Sequence, residues 1–424
     1  MTMPRLAKLF IFLLGIVIAG CSFGHEEYSA SKDYHLPDGA PLVLEVNDFG
    51  RFWNRAKAEE ALNQIAQATT NTNTVVLVFV HGWRHNAKAD DGNLEDFIKT
   101  VNEMKSTLSS DGYIKDRQEL GLKNDIKVIS LYVGWRGKSL PSKLDLLTFW
   151  GRKSAAETVG DGDLREFLWK LQKLYMERNK AKETFMGLVT IGHSFGGQVV
   201  FKAVTETFEK DLTDVIAATK GERNLEGKLR ANSIASGFGD MTVLINPALE
   251  AYQYERIHRL TQQLAFTPSQ APVLLVVSAN NDWPRQNLFP WGRRLTKPFR
   301  PWFPDDDDQE QLWYTALGEY APQQTHTLKQ IQASEDSDYE GCKADFTGEI
   351  TLGHAVLQPK KDIPRQPFAP VVVAYTASEI IDGHNEIFQG DFITFLTKYI
   401  AYVEGKRICL IRNAPPDPSC GLNH

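Results

Sequence analysis

Phe-Met-Gly-Leu-Val-Thr-Ile-Gly-His-Ser-Phe-Gly-Gly-Gln-Val-Val-Phe-Lys-Ala-Val, residues 185 to 204, is the stretch that decides how this chain is read. An apolar, β-branched run ends in Gly192-His193-Ser194-Phe195-Gly196-Gly197 and passes straight into helical periodicity. That order predicts a strand, a tight turn and a helix, with Ser194 at the apex of a nucleophile elbow. A serine on so sharp a turn sits at a strained backbone angle, and side chains two residues to either side would strike the neighbouring strand or helix. Gly192, Gly196 and Gly197 remove those collisions, and the turn lifts the hydroxyl clear of the sheet.

Outward from the elbow, strand-like and helix-like segments alternate. Pro41 to Val46 reads as an opening strand, and Val75 to Val80 is a continuous β-branched run expected to be a buried parallel strand. Leu94, Phe97, Ile98, Val101 and Met104 recur at helical spacing within Asn93 to Leu108. Further strands are expected at Ile126 to Val133, Met241 to Ile245, Pro272 to Ser278 and Pro370 to Tyr375. Helices are expected at Leu164 to Tyr175, Gly197 to Glu209 and, closing the domain, Asp391 to Val403. The alternation predicts an α/β fold, a mostly parallel sheet with helices on both faces. Residues 211 to 236 are polar and read as a surface excursion. The stretch 283–369 interrupts the alternation with Trp283, Phe289, Trp291, Phe299, Trp302, Phe303, Trp313 and Tyr314, several prolines and the run Asp305 to Asp308. So long an irregular segment inside a domain reads as a cap or lid over a site, the plainer alternative being an aromatic-stapled surface insertion.

A serine hydroxyl is a poor nucleophile at neutral pH and needs a base, which needs an orienting acid. His384, in Ile380-Ile381-Asp382-Gly383-His384-Asn385, follows the last expected strand and precedes the terminal helix, where it can reach back over Ser194. His354 and His326 are the fallback bases. Asp282 follows the strand ending at Ser278 and is the favoured acid, with Glu250, in Asn246-Pro247-Ala248-Leu249-Glu250, the alternative. Asp382 is too close to His384 in sequence and is expected to shape the loop. The developing alkoxide needs two aimed backbone N–H donors. Phe195, next after the nucleophile, supplies one. The turn Val80-His81-Gly82-Trp83-Arg84-His85-Asn86 supplies the other through Trp83, with Gly82 allowing close approach. His81 and His85 have a spacing that could hold a metal on a helix, but they fall in a turn without a third ligand, so no metal is expected. His193 is expected to pack within the elbow.

Together the His-Gly turn, the Gly-His-Ser-Phe-Gly-Gly elbow, the Asn-Pro turn, the Asp-Trp turn and the late Asp-Gly-His-Asn resemble the serine α/β-hydrolase superfamily over roughly residues 41–405. The order Ser194, Asp282, His384 matches that family's order of nucleophile, acid and base. The resemblance implies an α/β-hydrolase fold, no cofactor, and ester hydrolysis of esterase or lipase type through an acyl-enzyme. The substrate is then a small-molecule or lipid ester. Amidases and peptidases use the same residues, and non-catalytic binding proteins share the scaffold, so both remain as alternatives.

The N-terminus carries Arg5 and Lys8 before an apolar run from Leu9 to Ala19, too short to span a bilayer and right for a signal-peptide core. Ile18-Ala19-Gly20-Cys21 resembles the bacterial lipobox. That likeness implies cleavage after residue 20, lipidation of Cys21, and anchoring in the cell envelope. Ser22 in place of aspartate implies the outer membrane. Residues 21–40 then form a tether, and 406–424 a C-terminal tail. In an oxidising compartment Cys342, Cys409 and Cys420 allow one disulfide with one thiol left over; Cys409 and Cys420 are close enough in sequence to close a C-terminal loop, and a pair involving Cys342 is equally allowed. With 424 residues, 42% hydrophobic, there is ample material for a large core, and a net charge of −6 argues against nucleic acid as a partner.

Overall fold

The computed structural model describes residues 27–137, 149–180, 183–290, 307–332, 344–361 and 368–413. Strands β1 (Leu42–Val46), β2 (Asn73–Val80), β3 (Ile126–Trp135) and β4 (Met186–His193) form one half of a central sheet. The chain makes a small pair from β5 (Leu229–Arg230) and β7 (Leu264–Ala265), and continues the sheet with β6 (Met241–Ile245) and β8 (Leu274–Ala279). The remaining strands are β9 (His326–Gln330), β10 (Ile350–Leu352), β11 (Ala355–Pro359) and β12 (Val371–Thr376). The ten-stranded order is β1-β3-β2-β4-β6-β8-β12-β9-β11-β10. All neighbours from β1 to β9 are parallel, and β11 alone is reversed, pairing antiparallel with both β9 and β10.

Helices cover both faces. They are α1 (Arg55–Asn71), α2 (Gly92–Leu108), α3 (Asp111–Glu119), α4 (Phe149–Asp161), α5 (Asp163–Arg178), α6 (Phe195–Ala218), α7 (Ala251–Gln262), α8 (Asp307–Tyr314) and α9 (Gly390–Asn413). Strand β2 shows how the layers are built. All eight of its residues are buried, and successive side chains point to opposite faces. Val76, Val78 and Val80 join one apolar cluster with Ile65 of α1, Leu168 of α5 and Val199 of α6. Val75, Leu77 and Phe79 join the other, with Phe97 of α2 and Phe395 of α9. A strand apolar on both sides has no solvent face to offer, so it belongs in the middle of a parallel sheet.

The sequence reading and the structure differ in several places. Helix α6 runs on to Ala218, so residues 211–218 are helix rather than polar excursion, and α9 runs on to Asn413, taking residues 406–413 out of the tail. The interrupted stretch is more regular than its composition suggested, because residues 326–359 contribute β9, β10 and β11 to the edge of the sheet. Trp291, Phe299, Trp302, Phe303, Asp305 and Asp306 lie outside the described residues, as do residues 1–26, which include the expected signal segment and Cys21. Cys409 is disulfide-bonded, and Cys342 and Cys420 lie outside the described residues. Among the described residues no helix is long and apolar enough to cross a membrane.

Candidate active site

The chain winds outward from β2 in two directions, to β3 and β1 on one side and to β4, β6, β8 and β12 on the other. The carboxyl ends of strands flanking such a reversal leave a crevice between diverging loops. Ser194 stands at that point, directly after β4 and beside the turn that follows β2.

The elbow is as tight as the glycines required. Ser194 has φ 56° and ψ −120°, a strained combination for a residue with a side chain. A Cβ on Gly196 would lie 2.1 Å from the Val80 carbonyl oxygen, and one on Gly192 would lie 2.5 Å from the Gly196 carbonyl oxygen. Gly197 is looser, its Cβ position 3.1 Å from Pro247 Cβ. The Ser194 amide is occupied, donating to Ile245 O at 3.0 Å, while its carbonyl accepts from Ala248 N at 3.0 Å.

The structure brings Ser194, His384 and Asp282 into a line. His384 Nε2 lies 2.7 Å from Ser194 Oγ, and His384 Nδ1 lies 2.6 Å from Asp282 Oδ2. An ionised carboxylate only accepts, so the tautomer that satisfies both contacts carries its proton on Nδ1 and leaves Nε2 to accept from the serine hydroxyl. Asp282 is fully buried and Ser194 nearly so. Burial alone would raise the Asp282 pKa, but the Arg285 guanidinium and His384 outweigh it and hold the carboxyl well below the usual range.

Glu250 takes another place. It is buried at the N-cap of α7 with its carboxylate 3.2 Å from Lys153 Nζ of α4, and Lys153 also bonds Glu157 at 3.0 Å. His326 lies in β9 with Nδ1 2.8 Å from Thr325 Oγ1, and His354 lies in the turn between β10 and β11. Neither joins the elbow.

The turn after β2 presses on the nucleophile. A Cβ on Gly82 would lie 2.8 Å from Ser194 Cβ, so only glycine fits. Buried His81 fixes the peptide that follows: its Nδ1–H donates to Gly82 O at 2.9 Å, and its Nε2 accepts from Trp135 N at 3.0 Å. Burial pushes the His81 pKa down to about 4, so the ring is neutral and both bonds persist. In a trans peptide C=O and N–H point opposite ways, so holding Gly82 O against the His81 ring turns the Trp83 N–H to the other side. The Phe195 N–H is the first amide of α6, at the positive end of the helix dipole. His81 is thus not a metal ligand by arrangement. His85 Nδ1 is likewise engaged, 3.0 Å from Asp91 Oδ1, and no described group of three His, Cys, Asp or Glu side chains could hold a metal.

Several residues around the triad carried no sequence signal. Asn246, with φ 45°, donates from Nδ2 to the carbonyls of Gly383 and His384, both at 3.0 Å, and its Oδ1 accepts from Ala279 N at 2.9 Å. Asn281 Oδ1 accepts from Gly383 N at 2.8 Å, and its Nδ2 donates to Asp382 at 2.7 Å. Asp382 therefore shapes the loop of the base. Arg285, also fully buried, bonds Asp282 through both its side chain and its backbone amide. An Asn-Pro turn and an Asp-Trp-Pro-Arg sequence are visible in the chain, but nothing local says what they reach.

No family model matches the chain, and no curated protein matches it. Among solved structures it is similar to an uncharacterized protein from Pseudomonas aeruginosa, at 9% identity and a TM-score of 0.25. That alignment covers 88% of this chain and 51% of the other, so the chain spans about half the length of that neighbour. A likeness at that level bears on neither fold family nor function.

Proposed function

We propose that the chain is a serine hydrolase of carboxylic esters, built on an α/β-hydrolase fold and held to the bacterial cell envelope through a lipidated Cys21. The observation that carries the catalytic part is the line Ser194 Oγ, His384 and Asp282, with contacts of 2.7 and 2.6 Å. His384 Nε2 takes the proton of Ser194 Oγ as the oxygen attacks the ester carbonyl. The amides of Phe195 and Trp83 receive the oxyanion, and Asp282 stabilises the imidazolium that forms. His384 then returns its proton to the leaving alkoxide, the alcohol departs, and an acyl-enzyme remains. Water, deprotonated by the same histidine, attacks the acyl carbonyl; the second tetrahedral intermediate collapses, freeing the carboxylic acid and restoring the Ser194 hydroxyl.

Esters are placed ahead of amides because an alkoxide is a better leaving group than an amide anion, so the same groups face a lower barrier. The test is hydrolysis of paired p-nitrophenyl esters and p-nitroanilides of equal acyl chain by the full chain in detergent micelles. Turnover of the esters, at least tenfold above the anilides and lost in Ser194→Ala, supports the reading. Faster turnover of the anilides moves it to an amidase. Turnover of neither, by correctly folded protein, favours an envelope binding protein.

A further inference from the structure

Arg285 is 1% exposed, and each of its guanidinium nitrogens has a fixed partner. Nε donates to Asp282 Oδ2 at 2.7 Å, the same oxygen that accepts from His384 Nδ1 at 2.6 Å. Nη1 donates to Ser278 Oγ at 2.6 Å, and Nη2 to Ala279 O at 3.1 Å and Glu319 Oε1 at 2.6 Å. The Arg285 backbone amide holds the other carboxylate oxygen, Asp282 Oδ1, at 3.0 Å. This is more than a mechanism of the kind described above requires. One carboxylate oxygen is shared between the base and a permanent cation, and the cation is shared in turn with a second carboxylate.

We propose that Arg285 is a positioning residue that fixes Asp282 and limits the charge Asp282 presents to His384, and that Glu319 tempers Arg285 from the far side. The proposal rests on the serine-hydrolase reading. A cation bonded to the shared oxygen opposes the positive charge that the imidazole acquires when it takes the serine proton. Glu319, by neutralising part of that cation, works the other way. Arg285 and Glu319 both sit within the stretch that interrupts the α/β alternation, Glu319 between α8 and β9, so that stretch contacts the acid of the triad directly through Arg285.

Among the described residues, the other charged and titratable groups around the pair are few. Tyr375 of β12 has its hydroxyl 3.5 Å from Glu319 Oε2. His193 of β4, its ring centroid 5.2 Å from that of His384, is held neutral by burial and by the neighbouring His384. His85 lies beyond it on the turn after β2, and Asp382 is exposed and bonded to Asn281. Burial raises the Glu319 pKa while Arg285 opposes the rise.

The test is the pH dependence of the second-order rate of fluorophosphonate labelling, measured on the full chain in detergent for wild type, Arg285→Met, Arg285→Lys and Glu319→Gln. Removing the cation moves the acidic limb of the profile to higher pH by about 1 unit or more. Arg285→Lys restores part of that shift, and Glu319→Gln moves the limb to lower pH. A purely structural role lowers the plateau without moving the two limbs in opposite directions. If Arg285→Met does not fold, Glu319→Gln and Arg285→Lys still give the signs. Wild type that labels, with unmoved limbs or limbs moved the same way in Arg285→Lys and Glu319→Gln, overturns the proposal and leaves the hydrolase reading standing. Wild type that does not label overturns both.

Discussion

His193 Nε2–H donates to the carbonyl oxygen of His384 at 2.8 Å, so the residue beside the nucleophile holds the loop that carries the base. Burial pushes the His193 pKa well down, and its neutral ring serves as a fixed donor rather than a proton carrier. Asn246 Nδ2 reaches the same carbonyl at 3.0 Å, which makes two anchors on one atom. Replacing His193 with Phe keeps the planar volume and removes one of them. The expected effect is about a tenfold loss in labelling rate, ~1.4 kcal/mol of barrier, with the pH profile unchanged in shape. A loss as deep as that of His384→Ala would mean His193 takes part in the chemistry.

Gly82 is the position where the turn after β2 meets the nucleophile. A methyl there lies 2.8 Å from Ser194 Cβ and 3.0 Å from the His193 carbonyl, so Gly82→Ala must displace the turn. The oxyanion donor proposed at Trp83 moves with it, and the rate should fall by about 10²-fold. Circular dichroism checks that the fold survives; a well-folded variant with a near wild-type rate would remove this turn from the site.

Asp282 and Glu250 are distinguished by what they touch. Asp282→Asn disturbs the tautomer and orientation of His384, and should cost about 10³- to 10⁴-fold in rate. Glu250→Gln breaks the pair with Lys153, 3.2 Å away, and should lower thermal stability while keeping the rate within a few fold. The reverse ranking in rate would make Glu250 the acid.

Glu404 gives a stability prediction remote from the site. It is fully buried on α9, accepts from the Tyr113 hydroxyl, and burial pushes its pKa from 4.5 up to about 8. Between those values the folded state keeps a proton that the unfolded state has lost. Unfolding free energy therefore falls as pH rises from 4.5 to about 8, and is flat in this respect above that. Glu404→Gln mimics the protonated acid at every pH. Its melting temperature should match wild type near pH 4.5 and exceed it increasingly toward pH 8. A gap independent of pH would refute the assignment.

What the chain discloses depends on whether a residue's partner is near in sequence or is dictated by strand order. The faces of β2 and the elbow glycines are local facts, readable from β-branched runs and from Gly192, Gly196 and Gly197. His384 and Asp282 are readable because parallel strands deliver their following loops to one edge. Helix α1 was not legible, since it buries Ala58, Ala61, Ile65 and Thr69, a stripe too weakly apolar to stand out. Strands β9 to β11 hide in a stretch dominated by prolines and aromatics, and β9 is a short, half-polar segment, His-Thr-Leu-Lys-Gln. Arg285 and Glu319 are 34 residues apart in sequence, and no local pattern pairs them. The same holds for Asn246 and the His384 carbonyl, joined across three strands.

The most direct measurement is intact-protein and peptide mass spectrometry after fluorophosphonate treatment of the full chain in detergent, beside Ser194→Ala, His384→Ala and Asp282→Asn. The expected result is one phosphonyl adduct per wild-type chain, located on Ser194, absent in Ser194→Ala and formed far more slowly in the other two. An adduct on another residue, equal labelling in His384→Ala, or no labelling of folded wild type would contradict an activated Ser194.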